Sequence, residues 1–173
     1  MKILDTARLC LRKMTTDDAA FFLRLVNEPS WLQYIGDKGV RTLADARQSI
    51  LDGAVSMQAQ HGFSLYVCEL KGSAVPIGIC GLLKRETLPE VDIGFAFLPE
   101  FCGKGYASES ATAVIDYATR KIGIKRLLAI TSPENRSSIR LIERLGFSFD
   151  RTIVLAAGGD ATSLFAKNLV TVM

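Results

Sequence analysis

A chain of 173 residues is long enough to bury a sizeable core without disulfides or metal ions, so residues 1–173 are predicted to form one domain. Hydrophobic residues make up 49% and charged residues 23% of the chain, which is typical of an ordered globular protein and argues against a disordered or fibrous one. The net charge of +3, from 21 basic and 18 acidic residues, is too small to predict nucleic-acid binding, although it tolerates an anionic ligand.

The sequence shows neither a targeting signal nor a disulfide or metal pattern. The residues after Met1 are charged and alternating, and the longest uncharged apolar run, Gly72 to Leu83, is shorter than a membrane span. We therefore expect a cytoplasmic protein with no membrane partner. The four cysteines lack C-x-x-C spacing and are expected to be free thiols. Because His61 is the single histidine, a histidine-based zinc site is not expected.

Periodicity and turn residues divide the chain into strands and helices in the order β-α-α-β-β-β-α-β-α-β-β. Strands are expected at 6–13, 63–70, 77–84, 90–97, 126–131, 147–155 and 162–169. Helices are expected from a cap at Thr15 or Thr16 to Asn27, from Thr42 to Gly62, from about Tyr106 to Lys121, and between Asn135 and Gly146. Short links predict an antiparallel meander over 63–97, and the helix between 90–97 and 126–131 predicts that these two strands are parallel.

The stretch from Val91 to Ser110, VDIGFAFLPEFCGKGYASES, is the centre of the expected functional site. Its apolar start predicts a buried strand, which ends at Pro99 and leads through Gly103 and Gly105 into a helix that begins at about Tyr106. Glycines that precede a helix leave backbone N–H groups and the positive end of the helix dipole directed at one point, which favours a phosphate. A plain loop turn is the alternative, because the sequence fits neither the nucleotide P-loop nor the dinucleotide fingerprint.

Two aromatic residues, Trp31 and Tyr34, lie in a segment from Pro29 to Gly39 that is expected to be a loop between the first two helices. Exposed aromatic side chains on such a loop would line a pocket and bind substrate. The alternative is that they close the core over the helix pair. The sequence alone leaves both interpretations open.

Three separated motifs follow one another along the chain. They are DIGF from Asp92 with PEFCGKGYASES from Pro99, then NRSS from Asn135, then ERLGF from Glu143. In this order they resemble the GCN5-related N-acetyltransferases (GNAT). The opening TARLCLR from Thr6 is similar to the ribosomal-protein alanine acetyltransferase (RimJ/RimL-like) branch. The resemblance covers nearly the whole chain and implies an α/β (α+β) fold, with a mixed, mostly antiparallel sheet of six to seven strands and helices on both faces.

The resemblance implies a site for acetyl-coenzyme A in a V-shaped opening where strands 90–97 and 126–131 separate. In such folds the backbone of the first strand pairs with the pantetheine arm, and the amides of the glycine turn bind the diphosphate. The implied coenzyme-binding residues are Phe97, Leu98, Cys102, Gly103, Lys104, Gly105, Tyr106, Ala107, Asn135 and Ser138. Asn135 is also a good helix N-cap residue, and the two roles are compatible.

The chain departs from the family pattern at two positions. Cys102 opens the phosphate turn, where Arg, Gln or Trp is usual, so the backbone donors of the turn rather than this side chain are expected to contact phosphate. A thiol near a helix N-terminus can have a lowered pKa, which leaves a covalent or redox role open beside that of a filler. Ile142 stands where many members carry a Tyr that protonates the departing thiolate, so that acid is absent.

The candidate catalytic residues are Asp92, Glu69 and Ser138. Asp92 is the first candidate for a general base, because it lies within an otherwise apolar strand and burial would raise its pKa; an ion-paired structural Asp is the alternative. Glu69 on the neighbouring strand is a second candidate, acting through water, whereas His61 is expected at the surface. Ser138 is the candidate for hydrogen bonding to the leaving sulfur, or else an ordinary first-turn helix Ser.

These features together predict an N-acetyltransferase that moves acetyl directly from acetyl-coenzyme A to a primary amine in a ternary complex. An α-amine, with a pKa of about 8, suits a weakly equipped site better than a lysine does. The acceptor is either a protein N-terminal amine or a small amine such as a polyamine, amino acid or drug. A non-catalytic acyl-coenzyme A binding module is the alternative, and a nucleotide-dependent enzyme is a weaker one. A homodimer is the default oligomer.

Overall fold

The computed structural model describes residues 1–170. The strands within this range are β1 (Lys2–Asp5), β2 (Leu9–Lys13), β3 (Leu65–Leu70), β4 (Pro76–Leu83), β5 (Asp92–Phe97), β6 (Arg126–Thr131), β7 (Ser148–Val154) and β8 (Ala161–Asn168). They form one eight-stranded sheet in the order β1-β2-β3-β4-β5-β6-β8-β7. Neighbouring strands are antiparallel except β5 and β6, which are parallel as predicted.

The α-helices of the same range are α1 (Ala19–Val26), α2 (Pro29–Tyr34), α3 (Leu43–Ile50), α4 (Ser56–His61), α5 (Tyr106–Tyr117) and α6 (Arg136–Arg144). A π-helical turn, Leu51–Val55, joins α3 to α4, so the expected helix between Thr42 and Gly62 is nearly continuous. Its ends match the prediction: Thr42 and Asp45 form a capping box, and Gly62 ends it in the left-handed region. None of the helices within residues 1–170 has the length and apolar composition that crossing a bilayer requires.

Each face of the sheet carries its own apolar core. Side chains alternate between the two faces along every strand, so the sheet separates two layers of helices. One core contains Val114 from α5 and Ile142 from α6. The other contains Phe22, Trp31 and Ile50 from α1, α2 and α3. A ligand on one face therefore meets different helices from a ligand on the other.

The pairing of β5 with β6 is short. The two strands are paired at only two positions, the second of which is Ile93 opposite Ala129. Beyond these positions each strand keeps its other neighbour, since β5 stays paired with β4 as far as Phe97 and β6 with β8 as far as Thr131. The strands therefore separate within a continuous sheet, and the predicted V-shaped opening is confirmed.

Three details of the sequence prediction are wrong. A strand over 6–13 is interrupted because the Thr6 N–H donates to Leu9 O at 2.9 Å and closes a turn, which leaves room for the additional strand β1. The segment after Pro29 is a helix rather than a loop, since proline is well suited to the first position of a helix. The spacing of Leu43, Ala46 and Ile50 in the sequence predicts that all three lie on the apolar face of α3, but Leu43 is 43% exposed.

Candidate active site

The opening between β5 and β6 exposes unpaired backbone groups of β5. The Leu98 N–H donates to Ile77 O at 2.9 Å, so even-numbered residues here direct their backbone groups at β4 and odd-numbered residues direct theirs at β6. Phe95 and Phe97 therefore direct N–H and C=O groups into the opening, where β6 has no residue opposite them. An extended ligand with amide groups can pair with this edge like an additional strand.

The turn that follows β5 provides a row of free amide donors. Pro99–Phe101 forms a 3-10 turn, Gly103 and Gly105 have φ of 75° and 83°, and α5 begins at Tyr106 as predicted. These left-handed conformations favour glycine. Within residues 1–170, none of the amides from Gly103 to Ala107 has a hydrogen-bond acceptor. Free amides at the positive end of a helix dipole form a site for an anion.

Arg8 holds the glycine turn from the side of the N-terminal strands. Its Nε donates to Glu109 Oε2 at 2.7 Å, and its backbone N–H donates to Glu109 Oε1 at 2.8 Å. Its Nη1 donates to Lys104 O at 3.0 Å, and its guanidinium carbon lies 4.3 Å from the centre of the Tyr106 ring. Its Nη2 lies 3.3 Å from the position of a Cβ built on Gly105. Arg8 thus places a positive charge beside the free amides.

Two of the predicted coenzyme-binding residues, Leu98 and Cys102, are engaged within the chain. The Leu98 N–H is bonded to β4, its C=O accepts from Phe101 N at 2.9 Å, and its side chain is buried. The Cys102 thiol lies 3.6 Å from Leu98 O and 3.7 Å from Phe97 O. Partial burial, and secondly the nearby Glu100 carboxylate, raises the pKa of the Cys102 thiol, so the suggested lowering of this pKa is wrong.

Asn135 and Ser138 lie at the start of α6, in the segment that follows β6. Asn135 Oδ1 accepts from the Ser138 N–H at 3.3 Å, which confirms the predicted N-cap. Neither Asn135 Nδ2 nor the Ser138 hydroxyl has a hydrogen-bond partner in the described part of the chain. Both groups are therefore available for a ligand on the β6 side of the opening.

Asp92 is buried at the closed end of the opening. Its side chain is 1% exposed, and its Oδ1 accepts from Arg85 Nε at 3.0 Å. Its Oδ2 is buried with no hydrogen-bond partner among residues 1–170. Burial raises the pKa of Asp92, and the positive charge of Arg85 opposes only part of this effect. The burial expected of a base and the ion pair expected of a structural Asp thus occur in the same residue.

Glu69 lies far from Asp92. Its carboxylate accepts from Arg12 Nε at 2.6 Å, an ion pair that joins β3 to β2. Pro76 lies opposite Glu69 and Leu83 lies opposite Asp92, at the two ends of β4. At about 3.3 Å per residue these ends are ~23 Å apart. The structure therefore does not bring the two candidate carboxylates to one site.

A cleft of about 360 Å³ lies on the face of the sheet opposite α5. Its wall is mainly apolar and includes Met14, Phe22, Trp31, Ile50, Leu65 and Leu83. We call it the Trp31 cleft. Trp31 is 6% exposed, so it closes the core and lines a cleft at the same time. Tyr34, although half-buried on α2, does not belong to the lining.

Three residues of this region are not among those predicted from the sequence. Glu109 carries a local signal, since an acid in the first turn of a helix is favoured by the dipole. The alternation of apolar and polar residues around Arg8 predicts only that its side chain lies on the polar face of a strand. Arg85 lies in a loop, and no spacing rule connects it to Asp92. Their roles depend on contacts between distant parts of the chain.

The comparisons with known proteins agree on one kind of domain. The profile described as Acetyltransferase (GNAT) domain matches residues 8–148. A Bacillus licheniformis protein named Uncharacterized N-acetyltransferase p20 is 33% identical over 152 residues, which cover 85% of this chain and 83% of that protein. The Spermidine N(1)-acetyltransferase of Escherichia coli K12 is 23% identical over 140 residues, which cover 81% of this chain and 73% of that protein.

A solved structure has the same fold. It is described as RimL, the ribosomal L7/L12 alpha-N-protein acetyltransferase, in complex with coenzyme A. Its TM-score against this chain is 0.81 at 18% sequence identity, over 98% of both chains. At this level of identity the similarity concerns the architecture of the chain.

The buried Asp92 carboxylate is expected to make stability depend on pH. Its pKa in the folded protein is raised above the ordinary value of about 4, so the folded state favours the protonated carboxyl. The stability that this preference adds is present below about pH 4 and is lost as pH rises through the folded pKa. Asp92→Asn removes this loss. Relative to the unmodified chain, the free energy of unfolding of Asp92→Asn should therefore rise between about pH 4 and pH 7, by about 1.4 kcal/mol per unit of pKa shift.

Urea unfolding at several pH values measures this difference. Asp116→Asn, which removes an exposed carboxylate paired with Arg120, is the matched control and should show no such trend. The Arg85 ion pair exists only where Asp92 is ionised, so its effect is already contained in the folded pKa of Asp92 and does not reverse the direction of the trend. A difference that is flat or falls as pH rises would contradict the raised pKa of Asp92.

Proposed function

The chain belongs to the GNAT family of N-acetyltransferases, as its motifs predict, and we propose that it transfers acetyl directly from acetyl-coenzyme A to a primary amine in a ternary complex. The observation that supports this most strongly is the opening between β5 and β6. Its edge carries backbone groups of Phe95 and Phe97 that pair with no strand, and the free amides from Gly103 to Ala107 follow it. A pantetheine arm with its amide groups, joined to a diphosphate, complements both parts.

Each part of the coenzyme has a partner in this arrangement. The amides from Gly103 to Ala107 bind the diphosphate, with the positive charges of Lys104 and Arg8 nearby. Phe97 pairs with the pantetheine arm, to which Leu98 contributes less because its backbone groups are bonded elsewhere. The side-chain amide of Asn135 donates to the same arm from the β6 side.

In the reaction one bond forms and one breaks. The neutral amine nitrogen attacks the thioester carbonyl, the C–N bond forms, the C–S bond breaks, and the proton lost by nitrogen passes to a base. A backbone N–H of β5 polarises the carbonyl oxygen. The Ser138 hydroxyl donates a hydrogen bond to the departing sulfur, which takes its proton from solvent because Ile142 occupies the position of the usual acid.

Asp92 is the proposed base. Its raised pKa brings proton affinity closer to the working pH, and its Oδ2 has no partner in the described residues that would compete for the incoming proton. Asp92 and Gly94 share a face of β5, because side chains alternate along a strand. Gly94 is the first residue after the pairing with β6 ends. Leu65 and Leu83, which line the Trp31 cleft, pack against Gly94 on this face, so the carboxylate lies on the side of the sheet that carries the cleft.

The acceptor amine enters from the face opposite α5 through the Trp31 cleft. The resemblance to the ribosomal-protein branch favours a protein N-terminal amine, whose pKa of about 8 leaves a useful fraction neutral near pH 7. The name of the Escherichia coli relative, a spermidine acetyltransferase, supports a small amine as the other possibility. In either case Trp31 forms part of the wall that contacts the acceptor.

Release of the coenzyme thiol from acetyl-coenzyme A, measured with a panel of primary amines and peptides, tests the proposed function. We expect release with at least one acceptor. Asp92→Asn should lower kcat/KM by about 10²- to 10⁴-fold and remove the rise in rate that follows ionisation of Asp92, leaving only the rise that follows deprotonation of the amine, since a base acts only above its pKa. Ser138→Ala should lower kcat, whereas Ser137→Ala, at the exposed neighbouring position, is the control.

Two results would contradict parts of this proposal. Tight binding of coenzyme A with no thiol release on any amine would favour a non-catalytic acyl-coenzyme A module. An unchanged rate and pH profile in Asp92→Asn would place the base elsewhere, with acetyl transfer itself intact.

Arg8 is expected to strengthen coenzyme binding through the diphosphate alone. Arg8→Gln removes the charge beside Gly105 and the bond to Lys104 O, so KM for acetyl-coenzyme A should rise roughly tenfold. Acetyl-pantetheine lacks the diphosphate, and kcat/KM for it should change by no more than about twofold. Arg24→Gln, which removes an exposed ion pair with Glu100 near the same turn, is the control. Equal losses with both acetyl donors would instead assign Arg8 a general structural role.

A further inference from the structure

The Trp31 cleft lies near the point where β5 and β6 separate. Gly94 is the first residue of β5 beyond its last pair with β6. A Cβ built on Gly94 would lie 3.0 Å from Leu83 Cδ1 and 3.4 Å from Leu65 Cδ2, and both leucines line the cleft. A molecule in the cleft is therefore separated by only these two side chains from an acetyl group that is held in the opening.

The lining of the Trp31 cleft is apolar and has no excess of negative charge. Aromatic and aliphatic side chains, among them Phe22, Trp31 and Ile50, form most of the wall. Lys38 and Asp52, which carry opposite charges, also belong to the lining. A molecule with several ammonium groups requires several carboxylates to replace its hydration. The lining offers one carboxylate, Asp52, and the positive charge of Lys38 offsets it.

A cation already lies at the aromatic wall of the cleft, which also disfavours a polycation. Lys38 Nζ is 6.0 Å from the centre of the Trp31 ring. The positive charge of Lys38 repels a ligand that carries several ammonium groups.

We propose that the acceptor is a primary amine carried on one aromatic or branched aliphatic group, which fills the Trp31 cleft and directs the nitrogen past Leu65 and Leu83 towards Gly94. This inference rests on the proposed acetyl transfer and specifies its substrate class. A volume of about 360 Å³ is at the small end of ligand sites, which suits a single apolar group. Apolar contact then provides the binding energy, and the site needs no carboxylate beyond Asp52 and Asp92.

Three amines distinguish this class from the alternatives: 2-phenylethylamine, ethylamine and spermidine. The measurement is kcat/KM for each amine at saturating acetyl-coenzyme A. The value for 2-phenylethylamine should exceed those for ethylamine and spermidine by about tenfold or more, because burial of an aromatic ring contributes at least this factor. Preferred acetylation of spermidine would overturn the inference and leave the proposed acetyl transfer intact.

A pair of variants tests whether the Trp31 cleft is the place of recognition. Ala54→Phe fills part of the cleft, and Ala59→Phe adds the same side chain at an exposed position of α4 as the matched control. Ala54→Phe should lower kcat/KM for 2-phenylethylamine about tenfold and change that for ethylamine by no more than about twofold. Affinity for coenzyme A, measured for both variants, shows whether the fold is retained.

A charge variant tests the electrostatic argument independently of size. Lys38→Glu replaces the cation of the lining with a carboxylate and should raise kcat/KM for spermidine by roughly threefold or more. Equal effects of Ala54→Phe and Ala59→Phe, or equal rates for 2-phenylethylamine and ethylamine, would overturn the inference. Absence of acetylation with every amine, while coenzyme A still binds, would overturn the proposed function together with it.

Discussion

The separation of β5 from β6 after two residue pairs is the constraint on which the site depends. A strand edge without a partner leaves N–H and C=O groups unpaired, and burying such groups costs free energy. Here β5 is held on its other side by β4, and β6 is held by β8, so both strands stay extended where they no longer meet. The exposed edge at Phe95 and Phe97 is therefore ready for a ligand that pairs as a strand does.

The two faces of the sheet provide different chemistry around this opening. On one face α5 begins with free amides, and Arg8 and Glu109 fix the turn that precedes it. On the other face lie the buried carboxylate of Asp92 and the apolar Trp31 cleft, whose lining residues Leu65 and Leu83 pack against Gly94. In the proposed reaction the acetyl donor and the amine approach Gly94 from different directions. That arrangement suits direct transfer, because both substrates can be bound at once without sharing contacts.

Local signals predict much of this site, because residues close in sequence determine turns and helix ends. The positive φ of Gly105 and the start of α5 follow from the glycine turn alone. Contacts between distant residues carry no comparable signal. Arg8 and Glu109 are 101 positions apart in the sequence, and their contact depends on the packing of β2 against α5. The ion pair of Asp92 with Arg85 is likewise a product of the fold, so the sequence predicts a buried acid but cannot give its partner.

Backbone hydrogen exchange with and without coenzyme A tests the central claim, that the opening and its free amides receive the coenzyme. The amides from Gly103 to Ala107, together with Phe97, should exchange about tenfold or more slowly in the complex, because they gain acceptors there. Amides of β7, at the far edge of the sheet, should be unaffected. Protection of other amides by bound coenzyme A, with those from Gly103 to Ala107 unchanged, would contradict the claim.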